Sequence, residues 1–250
     1  RAIRNHCFSG TAASILRTNV KGYLISHPHL DHVSGLIINS PDDTSKNIYA
    51  LPFCIEVLKE KYFTWKSWAN FANEGDSPSL GKYHYVVLDT AKETALANTG
   101  MFVRPFFLSH GNPYLSTAFL IRCKEAYLLY LGDTGSDQIE HKDNLFLLWQ
   151  QVAPLIRTKK LKAIFIETSF SDEQPVGQLF GHLSPSLLMK EMDALSQLTG
   201  KENLQDFPVV ITHIKPVKPE SRSIIKKELM ESNPLKLKLV FAKQANALQF

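Results

Sequence analysis

Five short apolar runs in this chain each end on a histidine, aspartate or glutamate. Tyr23-Leu24-Ile25-Ser26 leads into His27, and Phe106-Phe107-Leu108-Ser109 into His110. Tyr127 to Leu131 leads into Gly132-Asp133-Thr134, Ala163 to Ile166 into Glu167-Thr168, and Val209-Val210-Ile211-Thr212 into His213. Four or five apolar or β-branched residues bounded by polar residues or glycine read as buried strands. A buried strand without alternation is covered on both faces, which calls for helices outside a sheet sandwich.

The intervening sequence supplies those helices. Cys54 to Phe63 is one candidate, and Asn144 to Ile156 is a second, with Leu145, Leu148, Trp149 and Val152 at three- and four-residue steps. Ser184-Pro185 opens a third, since serine suits the N-cap and proline the first helical position. Leu188, Met192 and Leu195 mark its inner face. Ser223 to Ser232 is a fourth, Lys236 to Phe241 a last strand, and the glycine- and proline-bearing stretch from Asn73 to Lys82 a surface loop. Strands and helices mix along the chain, which predicts an α/β protein or αβ/βα sandwich and excludes an all-β barrel. With no internal repeat and no domain boundary in view, residues 1–250 are expected to form a single domain.

Composition narrows the function. Hydrophobic residues make up 44% and charged residues 21% of the 250, ordinary values for a chain able to bury a sizeable core, so disorder is not expected. The formal net charge of +4 fits an anionic substrate without calling for a nucleic-acid polymer. Cys7, Cys54 and Cys123 show no C-x-x-C spacing, which argues against a disulfide framework or a cysteine zinc site. No apolar run of about 18 residues is present, so no membrane span is expected.

The densest chemistry is His27-Pro28-His29-Leu30-Asp31-His32, directly after a strand. Imidazole and carboxylate are the usual ligands of zinc and similar divalent ions. Strand alternation puts residues two apart on one side, so His27 and His29 can share one metal, with Asp31 and His32 turned toward a second.

This run resembles the metallo-β-lactamase superfamily. The longer stretch HPHLDHVSGLIINSP (His27 to Pro41) is similar to the signature of the class II 3′,5′-cyclic-nucleotide phosphodiesterase family, with wording closest to bacterial members. The likeness continues through SHG, LGDTG, IETSF, FGHLSP and THIKP, and covers Tyr23 to Phe250. It implies a four-layer αβ/βα sandwich holding two divalent ions, zinc above all, with manganese or iron as alternatives. In it His27, His29 and His110 would hold one ion, Asp31, His32 and His213 the other, and Asp133 would bridge them. His182, helped by Glu167, would protonate the leaving oxygen, as in related phosphodiesterases that include the tRNA 3′-processing enzymes. Asp31 and Asp133 thus count among the catalytic residues as well as the ligands. The implied reaction is in-line attack of water on phosphorus, opening 3′,5′-cAMP or cGMP to the 5′-monophosphate.

The same resemblance leaves rivals: a tRNA 3′ endonuclease, a lactonase or thioesterase on this fold, or a nucleotide-binding module without catalysis. The long basic arm of the tRNA enzymes is missing between His32 and His213. The His182–Glu167 pair favours phosphodiester chemistry, and the complete ligand set disfavours an inactive module. The partner is then a small cyclic nucleotide, not a nucleic-acid polymer or a membrane, and the oligomeric state stays open. Only 26 residues precede His27, where the family places several strands, so the domain is expected to lack its N-terminal strands. The bacterial wording points to a periplasmic location, with the cytoplasm as the alternative. His6, His84 and His141 match no motif and are expected at the surface. Lys215 and Lys218 could attract phosphate but are more simply solvated, and Asn112, Tyr114 and Thr117 are candidates for the pocket lining.

Overall fold

The computed structural model describes residues 10–243 and 246–250; His6 and Cys7 lie outside them. The chain divides into two compact units, the first running to Pro105 and the second from Phe106 to Ala242.

The first unit opens with helix α1 (Ala12–Thr18), capped by Thr11, whose hydroxyl accepts from the Ser14 N–H. Strands β1 (Gly22–Leu24), β2 (Lys46–Ala50) and β3 (Tyr83–Val87) form a parallel sheet in the order β1-β2-β3. Between β1 and β2 runs helix α2 (Leu30–Asn39), with Val33, Leu36 and Ile37 buried on one face. Helix α3 (Pro52–Val57) follows β2 and widens into a π turn over Leu58–Tyr62. The helix expected from Cys54 to Phe63 is therefore two segments, and residues 73–82 are irregular as expected. Ile25, Val33, Leu36, Ile37, Ile48, Cys54, Leu58 and Phe63 pack into one core. Each such side chain contributes about 1.5–3 kcal/mol by leaving water.

A buried polar knot ties this unit together. Asp43 and Lys46 are each 6% exposed and form an ion pair, and the hydroxyls of Tyr23 and Tyr83 also donate to Asp43. Burial pushes the Asp43 carboxyl up, but the hydrogen bonds from Lys46, Tyr23, the Thr44 N–H and Tyr83 outweigh it and hold the group below its usual range.

Strand β4 (Thr94–Leu96) pairs antiparallel with the start of β5 (Met101–Ser109), which carries the chain into the second unit. There β6 (Leu115–Cys123) and β7 (Ala126–Leu131) form an antiparallel hairpin. After the short helix α4 (Asp137–Glu140), the longer α5 (Asn144–Arg157) leads to β8 (Leu161–Glu167), and α6 (Pro185–Thr199) leads to β9 (Pro208–Thr212). Helix α7 (Ser221–Glu231) and β10 (Lys238–Phe241) complete the unit. Its sheet runs β10-β9-β8-β7-β6-β5, with β7 to β10 parallel. Leu129, Leu131, Ile164, Ile166, Val209 and Ile211 from the strands meet Leu148, Trp149, Val152, Leu188 and Met192 from α5 and α6 in one core. Parallel neighbours need crossovers, and the amphipathic helices supply them.

Ser184 occupies the N-cap of α6 with Pro185 behind it, but its hydroxyl does not cap the helix. It donates to Asp172 Oδ1, and that oxygen accepts the Ser186 N–H at 2.9 Å, so Asp172 does the capping.

Candidate metal centre

In the first unit β1 ends at Leu24, short of the expected Ser26, so strand alternation does not aim His27 and His29. The turn into α2 does. His29 is the extended N-cap of α2, and its carbonyl accepts the N–H groups of His32 and Val33. His32 thus returns beneath His27: the His27 ring lies 4.1 Å from that of His32 and 4.6 Å from that of His29, centre to centre. Asp31 sits in the first helical turn, where the helix dipole favours a carboxylate, and its Oδ2 is 3.7 Å from His32 Nε2. The segment is braced from outside. Tyr62, at the end of the π turn, donates to the Pro28 carbonyl at 2.9 Å, and Ser26 Oγ lies 3.1 Å from His27 Nδ1.

In the second unit His110, Asp133, Glu167, His182 and His213 come together, each at or just beyond a strand end or on the loop before α6. Asp133 is 3% exposed and sits at the centre. Its Oδ2 is 3.3 Å from His213 Nε2, 3.8 Å from His182 Nδ1 and 3.9 Å from His110 Nε2. His110, Asp133 and His182 each bring a donor atom within 4.8 Å of the others, and so do Glu167, His182 and His213. His110 Nδ1 lies 2.8 Å from the Gly181 carbonyl, which accepts its proton and leaves Nε2 on the Asp133 side. Imidazoles oriented through Nδ1 by a backbone carbonyl (His110), a carboxyl (His182) and a hydroxyl (His213) around a buried carboxylate form a donor set that fits a divalent cation.

Glu167 and His182 are a buried pair, with Oε1 2.8 Å from Nδ1. Burial, then the charge of Asp133, raises the Glu167 carboxyl well above its usual range. Four donors surround it: the Thr134 N–H and His182 at Oε1, and the Ser169 hydroxyl and the Leu183 N–H at Oε2.

Two loops meet closely here. Gly181 has a φ of +76°, and a Cβ on it would stand 2.1 Å from Gly111 N and 2.3 Å from the His110 carbonyl carbon. Glycine is therefore required at this position for the loop carrying His182 to rest on the loop carrying His110. Glu140 braces the latter by accepting the Gly111 N–H with both oxygens, at 3.1 and 3.2 Å.

His84 and His141 are exposed, as expected. Lys215 and Lys218 line a cavity of about 130 Å³ with Phe170 and Ser221. Asn112 and Tyr114 line another of about 420 Å³ with Phe107, Lys142 and Asn144. Thr117 lines neither of these, being fully buried within β6. Sequence reasoning missed Ser169, Glu140 and Gly181. Gly181 and Ser169 lie in the FGHLSP and IETSF motifs, the glycine directly before His182, and Glu140 lies in no such motif.

Solved structures define the class. The chain superimposes on the metallo-β-lactamase fold protein YhfI from Bacillus subtilis with a TM-score of 0.58, covering 90% of this chain and 76% of that one at 14% identity. It has the metallo-β-lactamase fold, the α/β class expected. On unliganded yeast PDE1 the TM-score rises to 0.80, at 30% identity over 90% of this chain and 67% of that one. The 3′,5′-cyclic-nucleotide phosphodiesterase of Aliivibrio fischeri is 43% identical over 240 residues, 94% of this chain and 72% of the relative. The family model described as cAMP phosphodiesterases class-II matches residues 10–244, and the chain belongs to that family.

Proposed function

We propose that this chain is a binuclear-metal phosphodiesterase that hydrolyses 3′,5′-cyclic nucleotides to 5′-nucleoside monophosphates. The observation that carries it is the buried Glu167–His182 pair beside Asp133. A simple metal-binding module has no use for an ionisable pair kept from water next to its ligands. Family membership supports the substrate class, since the Aliivibrio fischeri relative is named for that activity.

Motif by motif, His27, His29 and His110 would hold one divalent ion, Asp31, His32 and His213 the second, and Asp133 would contact both. The histidine-rich set favours zinc and also accepts manganese or iron. When bound, the ions supply Lewis-acid charge against the phosphoryl oxygens and make water acidic enough to serve as nucleophile near neutral pH. The protein does the rest. Asp133 places its carboxylate among the imidazoles, and the Gly181 carbonyl, by accepting at Nδ1, turns the Nε2 lone pair of His110 toward Asp133. By themselves, burial and the Asp133 charge raise the Glu167 carboxyl; cation charge beside Asp133 would offset that and leave His182 Nδ1 facing a carboxylate at 2.8 Å, which favours the protonated imidazole. Its Nε2 proton then goes to the departing 3′ oxygen, so that no alkoxide is released.

The test is turnover of 3′,5′-cAMP, 3′,5′-cGMP, 2′,3′-cAMP and a simple lactone by protein loaded with zinc or manganese, beside Asp133→Ala. Formation of the 5′-monophosphate, lost in the variant, is the expected result. Lactone hydrolysis without turnover of any cyclic nucleotide would overturn it.

A further inference from the structure

Ser169 lies two residues past β8, fully buried, with four polar atoms around one hydroxyl. Its Oγ donates to Glu167 Oε2 and stands 3.0 Å from His213 Nδ1, 2.9 Å from the His213 carbonyl and 3.3 Å from His182 Nδ1. The Ser169 main chain joins the same segments. Its N–H donates to the Leu183 carbonyl at 3.0 Å, and its carbonyl accepts the Lys215 N–H at 3.0 Å. His213 itself has a φ of +52°, in the left-handed region that an L-residue enters only at a cost.

A hydroxyl has one proton to give. Glu167 Oε2 is the closest of the four, and the Thr134 N–H, His182 Nδ1 and the Leu183 N–H all meet this carboxyl as donors, an arrangement in which Oε2 acts as an acceptor and takes the Ser169 proton. Nitrogen Nδ1 of His213 can then meet Ser169 Oγ only as a donor. A neutral His213 that carries its proton on Nδ1 has a bare Nε2, and Nε2 is the atom 3.3 Å from Asp133. Glu167 Oε1 fixes His182 in the same way, through Nδ1.

We propose that Ser169 is a positioning residue. Its hydroxyl holds His213 in the Nδ1-protonated tautomer, and through the shared Glu167 carboxylate it ties this ligand to the orientation of His182. The inference rests on the functional proposal only in taking His213 as a metal ligand. Outer hydrogen-bond partners of this kind typically account for 10–100-fold in metal affinity or activity.

The experiment joins two measurements on the full chain. Long-range nitrogen–proton NMR of the imidazoles in metal-free protein reads the tautomers, and chelator competition reads zinc and manganese affinity, for wild type, Ser169→Ala and Ser169→Thr. The expected result is Nδ1–H at His213 in wild type, mixed tautomers with 10–100-fold weaker metal binding in Ser169→Ala, and partial recovery in Ser169→Thr. Wild-type His213 protonated on Nε2 overturns the proposal, and that spectrum needs no variant to fold. Unchanged tautomers and unchanged affinity in a folded Ser169→Ala also overturn it. Neither readout involves cyclic nucleotides, so failure of the substrate assignment would be seen separately, as metal-replete wild type without turnover.

Discussion

Replacing Glu167 by glutamine separates the charge of this residue from its shape. The carboxylate accepts at Oε1 from the Thr134 N–H and His182 Nδ1, both at 2.8 Å, and at Oε2 from Ser169 and, at 3.4 Å, from the Leu183 N–H. A glutamine has one acceptor and one NH2 group. With its oxygen at the Oε1 position, the Thr134 and His182 bonds survive, and Ser169 can turn its proton to the His213 carbonyl at 2.9 Å. Only the long Leu183 bond is lost. One unsatisfied buried donor costs about 1–3 kcal/mol, or roughly 2–12 °C in melting temperature for a chain of this size. The variant should therefore fold. Its chemistry should suffer far more, because the imidazolium of His182 loses its negative partner, and positioned general acids contribute about 10²–10⁴-fold. The expected outcome is a kcat lowered by about that factor with KM little changed, measured on 3′,5′-cAMP with metal-replete protein and paired with a thermal melt. A folded Glu167→Gln enzyme whose kcat stays within about threefold of wild type, against the expected general-acid factor, would refute the assignment of Glu167 and His182 to proton delivery.

Gly181→Ala must push its Cβ into backbone and not into a flexible side chain; overpacking of about 1–3 kcal/mol plus about 1–2 kcal/mol for a left-handed alanine should displace the His110 loop. Chelator titration should then report weakened metal binding, and wild-type affinity would contradict the close approach. Asp43→Asn leaves the Lys46 ammonium buried opposite an amide and should destabilise by about 3–5 kcal/mol in urea melts at pH 7. Because the folded Asp43 carboxyl is held below its usual range, its contribution is complete above the unfolded value of about pH 4 and is lost as pH falls through the lower folded value. The variant should accordingly lose that part of the acid slope, and an unchanged slope would show that the knot is not stabilising. Stripping metal with a chelator should lower the melting temperature as well as abolish turnover, since ligand at about 100 times its dissociation constant stabilises by about 2.7 kcal/mol; equal melts with and without zinc would argue against specific binding.

The ends of β5, β7, β8 and β9 were legible in the sequence because each apolar run stops where a candidate ligand or acid begins. Burial on both faces was overestimated, however: Phe107 of β5 and Tyr130 of β7 are exposed, and β1 stops at Leu24. Helix α2 was not legible, although Val33, Leu36 and Ile37 carry a helical spacing. The histidines and Asp31 in and before its first turn read as a ligand-bearing loop, and the helix proved to be what folds that loop. Strand β6 was hidden by Ser116 and Thr117, polar residues that are nevertheless fully buried. Ser169 lay inside the IETSF motif but was given no role, because a serine after a strand looks like any turn residue until the neighbours of its hydroxyl are known.

The position of β8 between β7 and β9 has a consequence for how the protein is made. Asp133, Glu167 and His182 all leave the ribosome before β9 does. Until β9 docks, β8 is an open edge carrying Ile164 and Ile166, a ready template for pairing with another chain. The two acids beside it also lack the imidazole of His213. Completion of the candidate metal centre and protection of the aggregation-prone edge are thus one late event in synthesis, and changes that slow the docking of β9 should cost soluble yield before they cost activity per molecule.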